Sequence, residues 1–451
     1  MREVESLYSA VEMRAAEERY PGTVEELMER AGSAVVRIGL ELFGEGERWT
    51  VVCGGGANGG DGRIAARELE RAGKNVHLVD AKAGESELGE PDVIVDALFG
   101  TGFRGEPRPD AASLIERMNA SPACVVAVDL PSGVDASTGE VAGAAVVADS
   151  TVTFHARKVG LVVAPGRFHA GKVHVADIGL DDVDTEIGAV DMGIFRSIPR
   201  RRERDNKYSA GHVLVVGGSP GLTGAPSLTA MAALRADAGY VTLAAPESTL
   251  PVFEQRLLEV VKRPLQDDLA ALAAKASALA IGPGLGRTDA ARGLVRRALA
   301  EVALPAVVDA DALFGLEPAD WPAPRILTPH EGELARLLGR ESGEIAAHRI
   351  DSVREAAERF RCVVLLKGPD TLVAAPGRGL LVSALGLPSL ATAGTGDVLT
   401  GIIGAFLAKG MDAQLAAAAG AAAQQRAAVE APQRAGLVAS DLIEALPRVL
   451  R

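Results

Sequence analysis

Two rhythms of apolar residues alternate through the first part of the chain. Short, nearly continuous runs, "WTVVCGG", "NVHLVDA", "DVIVDALFG", "CVVAVDLPSG" and "STVTF", read as buried strands. Segments such as "DGRIAARELERAG" and "AASLIERMNA" lie between the earlier runs and carry apolar residues at helical spacing. Ahead of all these, "ESLYSAVEMRAAEERY" and "TVEELMERAGSAVVRIGLELF" read as amphipathic helices. Strands separated by helices imply a largely parallel sheet covered on both faces.

The same grammar returns further on with different residues. "HVLVVGGS", "YVTLAAP", "ALAIGPG", "PAVVDADAL", "RILTPH" and "CVVLLKG" read as strands ending in Gly, Asp or His, with helices such as "TDAARGLVRRALAEV" and "IDSVREAAERFR" between several of them. The arginine-rich stretch "FRSIPRRRERDNKYSAG" interrupts the periodicity as a solvated connection would. No short internal repeat is visible, so the expected organisation is two different α/β domains, 1–195 and 207–451, joined by a linker at 196–206. In open α/β sheets ligands bind beyond the carboxyl ends of the strands, so the polar residues there are the candidates for chemistry.

Composition narrows the partners. The chain has 451 residues and a formal net charge of −13, which argues against nucleic acid or an anionic membrane surface. Aromatics make up only 4%, leaving Ala, Val, Leu and Ile to fill the cores. Cys53, Cys124 and Cys362 show no metal spacing and read as reduced thiols of a cytoplasmic protein. The N-terminus lacks an apolar signal core, and the Ala-rich run "LAAAAGAAAQQRAAVEA" is a helix former too weakly apolar to insert in a membrane.

"AGTGDVLTG" holds the sharpest candidate. Gly394 and Gly396 remove side chains where backbone amides must approach an oxyanion, and the helix that follows favours phosphate at its N-terminus. Asp397, in the first turn, is placed to orient a hydroxyl and take its proton as phosphate arrives. A plain helix start capped by Thr395 or Asp397 remains the alternative for this stretch alone. "LLKGPDT" adds Lys367, Gly368 and Thr371 at a strand end, suited to a diphosphate, and "LTPHEGELARLLG" places His330 ahead of a helix. "GGSPGLTGAPSLTA" and "IGPGLGRTDA" are further anion-binding turns.

Taken in order, these runs resemble the ribokinase-like superfamily and, more narrowly, the ADP-dependent NAD(P)H-hydrate dehydratases. The resemblance implies a C-terminal ribokinase-like three-layer domain. It implies that Ala225, Gly286, His330 and Asp397 line the site of the hydrated nicotinamide. It further implies that Lys367, Gly368, Pro369, Asp370 and Thr371, with Gly394, Thr395 and Gly396, hold the nucleotide. Pro369 stands where the family usually has a small, flexible residue, so a backbone N–H contact from that position is lost. Hydrated NADH carries a hydroxyl on C6, next to ring nitrogen N1. Phosphorylation makes it a leaving group, the N1 lone pair helps expel phosphate, and loss of a proton restores the dihydropyridine. The implied donor is ADP with Mg²⁺, and AMP and phosphate are released.

In the first half, "VVCGGGANGGDGRIAARELERAG" follows a strand and opens a helix, leaving amides free to cradle phosphate. Asp80 closes the next strand, so an NAD dehydrogenase of Rossmann type is an alternative, though the glycine spacing is not G-x-G-x-x-G. "VDALFGTGFRGE" ends a strand at Asp96, and "VAVDLPSGVDASTGE" ends another at Asp129. Asn58, Asp96 and Ser132 offer oxygen atoms of the kind a hard monovalent cation prefers, which leaves Asp129 as proton shuttle. With "LMERAG", these runs resemble the NAD(P)H-hydrate epimerases, implying a Rossmann-like three-layer domain. The resemblance implies K⁺ at Asn58, Asp96 and Ser132. It implies substrate contacts from Ala57, Asn58, Gly59, Gly60 and Asp61, from Gly100, Thr101, Gly102, Phe103, Arg104, Gly105 and Glu106, and from Asp129. The family usually has two asparagines before "GGDG"; Ala57 replaces the first, losing its side-chain hydrogen bond.

The two resemblances meet in one pathway. Hydration gives both C6 epimers, the dehydratase takes the S form, and an epimerase returns the R form to it. The family tendency is toward symmetric homo-oligomers. The rival is a kinase for a small alcohol, such as a vitamin precursor, preceded by a non-catalytic ligand-binding domain.

Overall fold

The computed structural model describes residues 4–433 and 435–451. It divides into two compact units, one spanning Ser6–Ile187 and one spanning Gly188–Arg451 together with Val4 and Glu5. The second begins ahead of the arginine-rich seam because Ile194, Phe195 and Ile198 are buried in its core.

The unit Ser6–Ile187 is built on a six-stranded sheet, all parallel. Its order is Asn75–Asp80, Arg48–Cys53, Val93–Ala97, Cys124–Val128, Ser150–Phe154, Lys172–Ala176. The chain reverses its direction of travel between Arg48–Cys53 and Val93–Ala97, and such a switch point opens a crevice at the strands' carboxyl ends. The glycine-rich turn and the loop after Ala97 flank that crevice. Val51, Val52, Ile94, Val95 and Val126 are all buried, as a sheet covered on both faces requires.

The helix Ala57–Arg71 lies close on its own strand. A Cβ at Gly59 would stand 1.9 Å from the Gly54 carbonyl oxygen, so no larger residue fits the turn. The expected first helix starts later than its periodicity suggests. Val4–Leu7 is a strand, and the helix covers only Ala10–Glu18. Ser9 and Glu12 form a reciprocal capping box there, which fixes the start and releases the preceding residues to an extended path.

The other sheet has eleven strands in the order Val4–Leu7, Ile187–Val190, Leu380–Ser383, Thr371–Ala374, Val363–Leu366, Arg325–Leu327, Ala306–Val308, Ala278–Ile281, His212–Val216, Tyr240–Ala245, Val261–Pro264. The seven from Val363–Leu366 onward run parallel, and Thr371–Ala374 pairs antiparallel with Val363–Leu366. The switch point falls between His212–Val216 and Ala278–Ile281, where "GGSPGLTG" and "GPGLG" meet.

Small side chains hold the helices of this unit together. The Ala-rich run forms Ala413–Glu430, with Ala416, Ala417, Ala418 and Ala419 fully buried. A Cβ at Gly420 would reach Ile403 Cγ1 at 2.5 Å, so this helix packs closely on Thr395–Ala408 and fixes the direction of its N-terminus. Among the described residues no helix is long and apolar enough to cross a membrane.

Candidate active sites

In the first unit, Ala57, Asn58, Asp61, Gly100, Thr101, Gly102, Phe103, Arg104 and Asp129 line one cavity of about 800 Å³. Gly59 and Gly60 continue the turn beside it, and Gly105 and Glu106 continue the opposite loop. The helix Ala10–Glu18 adds Arg14, Glu17 and Glu18 to the wall.

Asp129 follows the strand Cys124–Val128 with φ at 67°, a left-handed conformation uncommon outside glycine and sometimes tied to function. Its Oδ2 accepts from the Thr101 amide at 3.2 Å, and its Oδ1 accepts from Thr153 Oγ1 at 3.2 Å. Lys158, fully buried, places Nζ 2.7 Å from the same Oδ1. That ammonium also donates to Thr153 Oγ1 at 3.0 Å and to the Phe154 carbonyl at 2.8 Å. An ammonium has three hydrogens, so Lys158 has none left for a ligand and acts only on Asp129. No motif in the sequence marked Lys158 or Thr153; only the fold brings "HARKVG" under the acid.

Two more carboxyls face this pair. Burial, then the charges of Asp129 and Glu17, push Asp61 up to about 8, against the opposing pull of Lys158. Glu17 is raised as well, first by burial and then by Asp129.

Asn58, Asp96 and Ser132 converge around the backbone of Phe99. Asn58 Nδ2 donates to the Phe99 carbonyl at 2.8 Å, and the Ser132 hydroxyl lies 2.6 Å from Asp96 Oδ1 and 3.3 Å from the same carbonyl. Asp96 is fully buried; burial pushes it up to about 6, while hydrogen bonds from Ser132 and the Leu98 amide oppose the shift. A buried carboxyl held off its usual value by desolvation, among neutral oxygen donors, suits a cation without demanding a multivalent one.

In the second unit the predicted residues take part in several separate polar contacts. Gly394, with φ at 89°, precedes the helix Thr395–Ala408, and no side chain caps the helix end. The Thr395 amide donates to the Thr392 carbonyl at 3.3 Å, which leaves those of Gly396 and Asp397 available to an anion. Asp397 stands in that turn, partly exposed. Burial, then Asp309, pushes Asp397 up to about 7, while Lys367 pulls the other way.

Lys367 Nζ lies 2.9 Å from Asp309 Oδ1 and 3.9 Å from Glu333 Oε2. Burial works against its charge, but Asp309, Glu333 and Asp397 outweigh burial and raise its pKa. Asp309 moves the opposite way: burial would raise it, yet Lys367 and the hydroxyls of Thr400 and Thr328 bring it below the usual carboxylate value. Thr400 Oγ1 donates to Asp309 Oδ2 at 2.7 Å.

His330 caps the helix Glu331–Leu338. Its Nδ1 accepts from the amides of Gly332 at 3.0 Å and Glu333 at 3.3 Å, so in the neutral ring the proton sits on Nε2. Glu333 Oε2 accepts the His330 amide at 3.0 Å, which ties His330 to Lys367 through one carboxylate. Thr229 Oγ1 bridges the carbonyls of Ala225 at 3.2 Å and Asp397 at 3.0 Å, joining two predicted substrate residues. The Gly286 amide donates to Asp311 Oδ2 at 2.9 Å, and Asp311 also adds to the upward pressure on Asp397.

In the turn from Lys367 to Thr371 the roles differ. Asp370 is fully buried, and Arg349 anchors it with Nε 3.4 Å from Oδ1 and Nη2 2.9 Å from its carbonyl. Arg349 also pairs with Glu331 and crowds Gly368, where a Cβ would meet Nη2 at 2.4 Å. The Asp370 side chain thus braces the turn from below. Arg349 was not legible in the sequence, since nothing distinguishes it from other helix arginines.

Known proteins resemble this chain along both units. The family described as NAD(P)H-hydrate dehydratase matches residues 213–448, and the family described as YjeF-related protein N-terminus matches residues 24–89 and 77–160. The bifunctional NAD(P)H-hydrate repair enzyme of Moorella thermoacetica is 38% identical over 94% of this chain and 92% of its own length. The chain belongs to that repair-enzyme family. The Escherichia coli K12 enzyme of the same name is 35% identical over 95% of the chain and 90% of its own length, so family membership covers both units. A Bacillus subtilis ADP/ATP-dependent NAD(P)H-hydrate dehydratase, co-crystallised with ATP and Mg²⁺, is similar at 29% identity and a TM-score of 0.53, covering 57% of the chain and 95% of the solved one. A ribokinase-like superfamily protein from Enterococcus faecalis, 21% identical with a TM-score of 0.53, supports the fold.

Proposed function

We propose that this repair enzyme epimerises (R)- and (S)-NAD(P)H hydrate in the unit Ser6–Ile187 and dehydrates the S form in the unit Gly188–Arg451, with ADP as phosphoryl donor. The observation that carries the second activity is the carboxyl of Asp397 on an uncapped helix N-terminus beside Lys367. Asp397 orients the C6 hydroxyl and takes its proton as the phosphoryl group arrives. The free amides of the first turn receive the transferred phosphate. Lys367, steadied by Asp309, neutralises charge on the nucleotide diphosphate, and the Lys367–Thr371 turn seats that nucleotide. His330 offers its Nε2–H to the hydrate, while Ala225 and Gly286 form close walls. Mg²⁺, bound together with the nucleotide, would supply screening of its phosphate charge. Phosphate then leaves as the N1 lone pair moves in, and loss of the C5 proton closes the double bond.

In the first unit Asp129 is the base, held in place by Lys158, Thr153 and Thr101. K⁺ would be held by Asn58, Asp96 and Ser132, where it would offset the buried Asp96 charge and stiffen the Phe99–Thr101 backbone. Three free cysteines fit a reducing cytoplasm, and the family resemblance supports a homo-oligomer.

The test is incubation of a mixed-epimer hydrate with ADP and Mg²⁺, following both epimers by chromatography and the reduced nicotinamide by its absorbance. Restored NAD(P)H with AMP and phosphate in equal amounts is expected. A stable phosphorylated product without restored absorbance would make the second unit a small-alcohol kinase instead.

A further inference from the structure

Asp61 has a position that gains meaning if the first unit is an epimerase, the reading on which its role rests. Asp61 lies one turn into the helix Ala57–Arg71 and lines the 800 Å³ cavity with Asp129 and Glu17. It is only 8% exposed, and its Oδ1 has no hydrogen-bond partner among the described residues. A buried carboxyl oxygen without a partner is costly and calls for an explanation. Asp129, by contrast, accepts from Thr101, Thr153 and Lys158. One cavity thus holds a heavily hydrogen-bonded acid and an unsupported one.

The chemistry asks for such a pair. Inverting C6 requires breaking either its bond to oxygen or its bond to N1. Breaking C6–O would give the N1–C6 iminium ion, which needs only to lose a C5 proton to become the repaired dihydropyridine. That route would be dehydration itself and would make phosphorylation superfluous. The bond that opens is therefore C6–N1, and N1 needs a proton as it leaves.

We propose that Asp61 is the proton donor to N1, working opposite Asp129. Asp129 takes the hydroxyl proton, the oxygen pair forms a C=O bond, and the C6–N1 pair passes to nitrogen as Asp61 protonates it. The open form is an aldehyde with a free enamine N–H. Rotation about C5–C6 presents the other face. N1 then attacks it, its proton returns to Asp61, and Asp129 returns its own to the oxygen. No oxidant or co-reactant enters.

The charged groups around Asp61 agree with this role. Glu17 and Glu18 from the helix Ala10–Glu18, with Asp129, place negative charge on the cavity wall. Lys158 is committed to Asp129, and Arg14 and Arg104 line the same cavity as counter-charges. Burial first, then the charges of Asp129 and Glu17, keep Asp61 protonated up to about pH 8, against the pull of Lys158.

The experiment uses the full chain and the purified R epimer, without ADP. Asp61→Asn is expected to slow R-to-S conversion at least about 100-fold, with the Kd for the hydrate within threefold of wild type and ADP-dependent dehydration of the S epimer unchanged. Conversion within threefold of wild type would overturn the proposal. If the variant does not fold, the wild-type profile decides: conversion should fall as pH rises past about 8, and a rate flat across that range would overturn it. A wild-type chain that does not accelerate the conversion at all sinks the epimerase reading itself, a result distinct from an active wild type with an indifferent Asp61→Asn.

Discussion

Each unit pairs a lysine with a strand-end aspartate, and the two pairs serve opposite ends. In the first, Lys158 gives all its hydrogens to Asp129, Thr153 and the Phe154 carbonyl, so in the proposed epimerase the aspartate is the member of the pair left to meet substrate. In the second, Asp309 is the hidden partner and Lys367, with 22% of its side chain exposed, is the group that reaches out. Asp397, the base we propose for the second unit, stands apart from the pair and is left with a raised pKa. An identical ion pair can thus steady a base or present a cation, depending on which member faces the crevice.

The largest expected effect tests the unpaired acid. Asp397→Asn should lower ADP-dependent dehydration about 1,000-fold while R-to-S conversion is untouched, because the two activities sit in different units. Single-turnover assays with the S epimer check it. Loss of both activities together would break the separation of roles.

Lys158→Met comes next. It leaves Asp129 buried without its counter-ion, which should cost the first unit about 3 kcal/mol in urea unfolding. Adding Asp129→Asn should restore most of that stability without restoring epimerisation. If the single change is silent, the pair is not the support of the site. The matching change in the second unit, Lys367→Met, should instead show first in the KM for ADP.

The comparison also predicts a pH difference. A base must be ionised to act, and Asp397 is pushed up to about 7, so dehydration should rise with pH through that value and level off above it. The folded-state pKa lies above the ordinary 3.8, so the native state holds the proton longer than the unfolded chain does. The second unit therefore loses stability as pH rises between those values. Asp397→Asn should abolish that share of the slope in unfolding experiments. A rate indifferent to pH around 7 would contradict the placement of Asp397.

What the sequence made legible follows from which interactions leave a local trace. Strand ends, glycine turns and helix-opening acids are local, and they led to Asn58, Asp96, Asp129, His330, Lys367 and Asp397 without the fold. Lys158 and Arg349 leave none. Lys158 meets Asp129 across 29 positions, and Arg349 meets Asp370 across 21. Their surroundings in sequence are ordinary, so only strand order brings them to their partners. The short strand Val4–Leu7 is hidden for a different reason: its residues continue a helical pattern, and the cap at Ser9 overrides it.

The smallest effect expected concerns Ala57, where the family usually carries asparagine. Ala57 opens the helix Ala57–Arg71, is exposed, and lines the cavity. Its neighbour Asn58 is already committed to the Phe99 carbonyl. An asparagine at 57 would add a donor and an acceptor at the cavity mouth without displacing a buried contact. One such hydrogen bond to bound substrate contributes about 1 kcal/mol, so Ala57→Asn should raise epimerase kcat/KM about fivefold and leave folding stability unchanged. The gain should appear mainly in KM, since position 57 is exposed whereas the acids Asp61 and Asp129 are buried. A larger gain in kcat would mean that position 57 reaches the reacting ring, and the division of the cavity into a binding mouth and an acid–base floor would have to be redrawn.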